Sequence, residues 1–104
     1  MKLNYILFTP ARSWEEQLAG TGLNKRDSVE QGIKCADGAM LSVQASEGHY
    51  CKPRNNQGPW HQVEVGFPDP KPEGWEAYSN SEDIYSCVPV ELVKKYILLH
   101  GGEM

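Results

Sequence analysis

Apolar and polar residues alternate along two stretches of the chain, in the pattern of a half-buried strand. In Met40-Leu41-Ser42-Val43-Gln44-Ala45, the apolar side chains Leu41, Val43 and Ala45 are separated by Ser42 and Gln44. From Trp60 to Phe67 the alternation places His61, Val63, Val65 and Phe67 on one face and Gln62 and Glu64 on the other. Asp37-Gly38 separates Val29–Ala36 from Met40–Ala45 and favours the positive backbone angles of a hairpin turn. Pro68-Asp69-Pro70-Lys71-Pro72 is expected to end the second strand, because proline donates nothing to a ladder. Ile84–Val88 reads as a further short strand.

The period then changes to that of helices. Ser13-Trp14-Glu15-Glu16 has capping-box spacing and predicts a short helix from Trp14 to Ala19, closed by Gly20. Thr21–Ser28 is polar and reads as a connection. A second short helix is expected over Glu73–Tyr78, with Trp75 and Tyr78 on one face. The best-defined helix begins at Pro89 and runs to His100, with Gly101-Gly102 beyond it. Leu92, Val93, Tyr96, Ile97 and His100 line its apolar side, and Glu91, Lys94 and Lys95 line the other. These elements predict an α+β fold: a small antiparallel sheet of three or four strands with two or three helices packed on one side. Residues 1–28 read as an N-terminal extension with a short helix, and 29–104 as a single domain.

A long connection joins the two alternating strands. Residues 46–59, SEGHYCKPRNNQGP, hold an imidazole, a phenol, a thiol, two cations and three carboxamides. Connections of this length inside a small domain tend to be functional or disordered, and this one is rich in groups that bind anions, stack on rings and donate hydrogen bonds. Arg54 offers a planar fork suited to phosphate, and Lys52 a compact cation. Pro53 restricts Lys52 to extended geometry, so the two cations need not collide. Tyr50 can stack on a base or sugar, and Asn55, Asn56 and Gln57 can read polar edges. The candidate ligand-binding set is therefore His49, Tyr50, Lys52, Arg54, Asn55, Gln57 and Trp60. The bland alternative is a solvated loop whose cations balance an acidic surface.

Composition narrows the function. At 104 residues with a net charge of −4, the chain has room for one core and is a poor candidate for general nucleic-acid binding. A core this small makes association with copies of itself a reasonable expectation. The longest apolar run, Ile97-Leu98-Leu99, is far too short to cross a bilayer, and the N-terminal stretch Met1–Phe8 lacks the cleavage site of a signal peptide. Three widely separated cysteines, Cys35, Cys51 and Cys87, read as reduced thiols.

His49, Cys51, His61 and Cys87 could in principle offer nitrogen and sulfur to zinc, but no standard zinc spacing is present. The expectation is no metal and no cofactor, with Cys35 and Cys87 as small core residues and His61 as a satisfied sheet histidine. No nucleophile elbow or glycine-rich phosphate loop is present, so no catalytic residue is assigned. His100, at a helix C-terminus, is explained by the helix dipole alone.

The runs Asp37-Gly38-Ala39-Met40-Leu41-Ser42-Val43-Gln44-Ala45-Ser46, His49-Tyr50-Cys51-x-Pro53-Arg54 and Val63-Glu64-Val65-Gly66-Phe67-Pro68 form an overall pattern with the ending Val88-Pro89-Val90-Glu91-Leu92-Val93…His100-Gly101-Gly102. From Val29 to Gly102 the pattern resembles small phage and prophage proteins, most closely the Thoeris anti-defence sponge proteins. The resemblance implies a non-enzymatic, homo-oligomeric protein in the cytosol of an infected bacterium, sequestering a cyclic ADP-ribose-type signal without cleaving it. Arg54 and Lys52 would meet the pyrophosphate, Tyr50 or Trp60 would stack, and Asn55 or Gln57 would contact ribose hydroxyls. The alternative from another class is a protein-binding inhibitor of a host defence complex, as anti-CRISPR proteins are. Its acidic residues are scattered, however, rather than set in a phosphate-like row. A third reading is a small hydrolase acting on the same nucleotide.

Overall fold

The computed structural model describes residues 2–11, 14–20 and 32–104. Its centre is an antiparallel sheet built from β1 (Gly32–Lys34), β2 (Met40–Gln44), β3 (Gln62–Asp69), β4 (Ser79–Ser81) and β5 (Ile84–Pro89), in the order β1-β2-β3-β5-β4. Among the described residues three α-helices accompany it: α1 (Lys2–Phe8), α2 (Trp14–Ala19) and α3 (Val90–Leu99). The α+β class and the antiparallel sheet agree with the sequence. The sheet has five strands rather than three or four, because β4 is all polar and exposed and leaves no alternation to read.

The β1–β2 hairpin forms as its turn residues dictate. Gly38 takes φ +97°, and Asp37 Oδ1 accepts the Ala39 N–H at 2.9 Å. Residues 29–31 of the expected first strand, the Thr21–Ser28 connection and the Ser13 cap lie outside the described residues.

β3 begins two residues later than expected and runs through Pro68. Met40 pairs with Asp69 while Ser42 pairs with Gly66, so β3 carries one extra residue there. Phe67 sits in this bulge at φ +53°, and the bulge absorbs the N–H that Pro68 lacks. The bulge also reverses the alternation. Val63 and Val65 are fully buried, but Phe67, expected on their face, is 64% exposed. A second bulge puts Ser86 and Cys87 of β5 opposite Glu64, with Cys87 at φ +51°.

The core joins Val43, Val63, Val65 and Val88 of the sheet to Val93, Tyr96 and Ile97 of α3, on the helix face the sequence indicated. Leu3, Ile6 and Leu7 of α1, with Ala11, are buried in the same core. The Glu103 carboxylate accepts the Lys2 and Leu3 N–H groups, at 2.7 and 3.1 Å. Residues 2–11, assigned from sequence to an extension, thus pack within the domain.

In place of the expected helix over Glu73–Tyr78 there is a single 3-10 turn, Glu76–Tyr78. Gly74, at φ +85°, interrupts the segment after Pro72. Trp75 is still buried, edge-on to Tyr85 with ring centroids 5.7 Å apart, and beside Tyr96. The Tyr96 hydroxyl donates to the Pro70 carbonyl at 2.7 Å, and burial pushes its pKa up to about 12. The end of α3 is a Schellman motif: Gly102 N–H donates to the Ile97 carbonyl, Gly101 N–H donates to the Leu98 carbonyl, and Gly101 takes φ +92°.

Candidate functional site

Residues 46–59 leave β2 and return to β3 as an ordered loop, and its own polar groups do most of the ordering. Ser46, buried, places Oγ 2.6 Å from His49 Nδ1 and accepts the Gly48 N–H. Asn56 Oδ1 accepts the Glu47 N–H at 2.9 Å, and the Asn56 carbonyl accepts the Ala11 N–H, tying the loop to the segment after α1. Asn55 Oδ1 accepts the N–H groups of both Gln57 and Gly58. Lys52 exchanges backbone hydrogen bonds with Gln62, which fixes the middle of the loop against the start of β3.

The Tyr50 backbone is held on both sides. Its N–H donates to Glu64 Oε2 at 3.1 Å, and its carbonyl accepts the Cys87 N–H from the β5 bulge at 2.9 Å. The phenol ring, about half exposed, lies beneath Arg54, whose Cζ is 4.9 Å from the ring centroid. Arg54 Nε donates to the Glu47 carbonyl at 3.2 Å. One hydrogen bond and one ring therefore orient the guanidinium, while its Nη donors have no carboxylate partner among the described residues. Between Tyr50 and Arg54, Cys51 turns inward. Its thiol donates to the Ser46 carbonyl at 3.2 Å with the Pro53 carbonyl 3.4 Å away, and burial pushes its pKa up.

The seven residues expected to bind a ligand thus divide. Tyr50 and Arg54 are brought together, and Lys52 and Gln57 stay exposed on the same loop. His49 is engaged with Ser46, and the Asn55 carbonyl oxygen is spent inside the loop. Trp60, expected to offer a stacking face, is only 4% exposed and belongs to the core. Its ring packs under Gly58, where an added Cβ would come within 2.6 Å of the indole. His61, expected as a satisfied sheet residue, lies just outside β3 with an exposed side chain. Cys35 is buried as expected, whereas Cys87 is half-buried.

Sequence reasoning missed the supporting residues Ser46, Glu47 and Glu64. The Ser46–His49 spacing was the one available signal, since Ser and Asn side chains commonly bond backbone groups two or three residues on. Four concavities among the described residues lie elsewhere, and none of the four is lined by a residue between 46 and 60.

Comparison with family models, with curated proteins and with solved structures returns no match to this chain.

Proposed function

We propose that this protein binds a small phosphorylated ligand carrying an aromatic ring, and holds it without chemical change. The observation that carries this reading is Arg54 set 4.9 Å over the exposed Tyr50 ring, with its Nε anchored on the Glu47 carbonyl. A guanidinium held in advance loses less freedom when it meets a phosphate. Lys52 adds a second cation, Gln57 an exposed carboxamide, and the free part of the Tyr50 ring a stacking surface. Charge-assisted hydrogen bonds of this kind contribute about 1.5–3 kcal/mol each.

With the resemblance to the Thoeris anti-defence sponges, the specific reading is capture of a cyclic ADP-ribose-type immune signal in an infected bacterium. Capture needs affinity rather than turnover, and it assigns no general base. A second reading, a protein-binding inhibitor of a defence complex, is favoured by Met40 and Phe67. These two are exposed apolar side chains on the rim of one concavity.

The test is to incubate the protein with candidate cyclic nucleotides, filter it, denature what is retained and assay the released material. Intact nucleotide is expected, and Arg54→Ala is expected to abolish retention with the melting temperature unchanged. Altered nucleotide would indicate an enzyme. No retention would overturn ligand capture in favour of the protein inhibitor. Equal loss of folding in Arg54→Ala would make Arg54 structural.

A further inference from the structure

We infer that Cys51 and Cys87 form a redox pair whose disulfide clamps the 46–59 loop to β5. The pairing does not rest on the ligand reading, although Cys51 stands between Tyr50 and Arg54 in the chain. The bulge in β5 sets Cys87 at φ +51° and takes its N–H to the carbonyl of Tyr50, the residue before Cys51, at 2.9 Å. That hydrogen bond and the peptide unit joining Tyr50 to Cys51 leave the two Cα atoms no more than about 7 Å apart. Disulfides commonly bridge Cα separations of about 4.4–6.8 Å. The sulfurs are also within electrostatic reach of each other. After burial, the charge of Cys87 is among the causes that hold the Cys51 thiol above its ordinary pKa. Cys35 stands apart: it follows β1, and β2 and β3 separate that strand from β5.

The two thiols differ in the way a two-step exchange requires. Cys87 is half-buried and can meet a small reagent, whereas Cys51 is 2% exposed with its thiol on the Ser46 carbonyl. The oxidant is a low-molecular-weight disulfide such as glutathione disulfide. Cys87 gives up its proton and its thiolate attacks one sulfur of the reagent. The reagent's S–S bond breaks and one glutathione leaves, with a mixed disulfide remaining on Cys87. Cys51 then turns from the Ser46 carbonyl, loses its proton and attacks the Cys87 sulfur, expelling the second glutathione. The protein gives up two electrons and two protons, and the reagent takes them as two thiols. Excess thiol reverses both steps. The product ties the loop covalently to the sheet, three residues before Arg54.

The test is to incubate the intact, reduced chain with glutathione disulfide, quench in acid and measure its mass. The expected product lacks the mass of two hydrogens, carries no glutathione and yields a linked Cys51–Cys87 peptide on digestion. Dithiothreitol is expected to restore the starting mass. Cys51→Ser is expected to stop at a single glutathione adduct on Cys87, and Cys87→Ala to resist the reagent. Cleavage by trypsin after Arg54 is expected to slow several-fold in the oxidised chain. The parent chain's own linked peptide decides the pairing if a variant fails to fold. A glutathione adduct that persists on Cys87 of the parent, a bond through Cys35 or between two chains, or no reaction at all would overturn the inference. Cleavage after Arg54 at an unchanged rate would overturn the clamp.

Discussion

Asp37 Oδ2 lies 2.7 Å from His100 Nδ1, closing the end of α3 onto the turn between β1 and β2. The same histidine packs against Tyr96, with ring centroids 4.6 Å apart. The Asp37 N–H donates to the His100 carbonyl, and Ala36 N–H donates to that of Gly102. A residue that the helix dipole alone accounted for is thus one half of a contact between distant segments.

This contact predicts how stability changes with pH. The Ala39 N–H, and then His100, hold the Asp37 carboxyl below its ordinary range. A carboxylate depressed in this way stabilises the fold above its unfolded value of about 3.9, and that contribution is lost as pH falls through the folded value. Asp37→Asn is therefore expected to melt below the parent at neutral pH and to converge with it in acid. Thermal melts over a pH series check this, and curves that stay parallel would exclude the linkage.

Gly101 is expected to tolerate no side chain. Besides its φ of +92°, an added Cβ would sit 3.1 Å from the Ala36 Cβ. Gly38 has a similar φ of +97° but open space around it. Strain of this backbone type costs about 1–3 kcal/mol. Gly101→Ala is expected to lower the melting temperature more than Gly38→Ala, the difference reporting the contact with Ala36.

The cysteines should differ in reactivity. Cys35 and Cys51 are buried with thiols pushed above their ordinary pKa by burial, while Cys87 is half-buried. Since the thiolate is the reactive form, an alkylating reagent at neutral pH is expected to modify Cys87 first and the other two only on unfolding. Peptide mapping after brief labelling reads the order.

Asn55 separates loop building from ligand contact. Its Oδ1 accepts two backbone N–H groups, at 2.9 and 3.0 Å. Asn55→Ser keeps a neutral acceptor oxygen and is expected to retain nucleotide, whereas Asn55→Ala loosens the loop and weakens retention. Equal loss in both variants would make the amide nitrogen a direct contact.

Much of the fold was legible because its residues obey simple periods. Leu41 and Val43 alternate into the core, Asp37-Gly38 turns the chain, and Val93, Tyr96 and Ile97 share one helix face. The failures have physical causes. A bulge at Phe67 breaks the period of two, and nothing in the local sequence announces it. Leu3, Ile6 and Leu7 have helical spacing, but seven residues are too few to hold a helix without the packing they gain here. Trp60 follows the loop and looked free to stack, yet the turn through Gly58 and Pro59 carries it inward, where its backbone N–H meets the Leu7 carbonyl. Within the loop, the types of Tyr50 and Arg54 suggested partners for a ligand. Their contact with each other depends on Glu47 and Glu64, whose roles only the folded backbone reveals.

The clasp between Glu103 and the first turn of α1 spans 101 positions along the chain. Segments so far apart meet only after a large loop has closed, and the entropy of that closure is not repaid by neighbours in sequence. The β1–β2 hairpin, by contrast, closes over a few residues. The expected order of assembly is therefore from the middle outward with the first helix docking late, so that weakening the clasp should speed unfolding more than it slows folding.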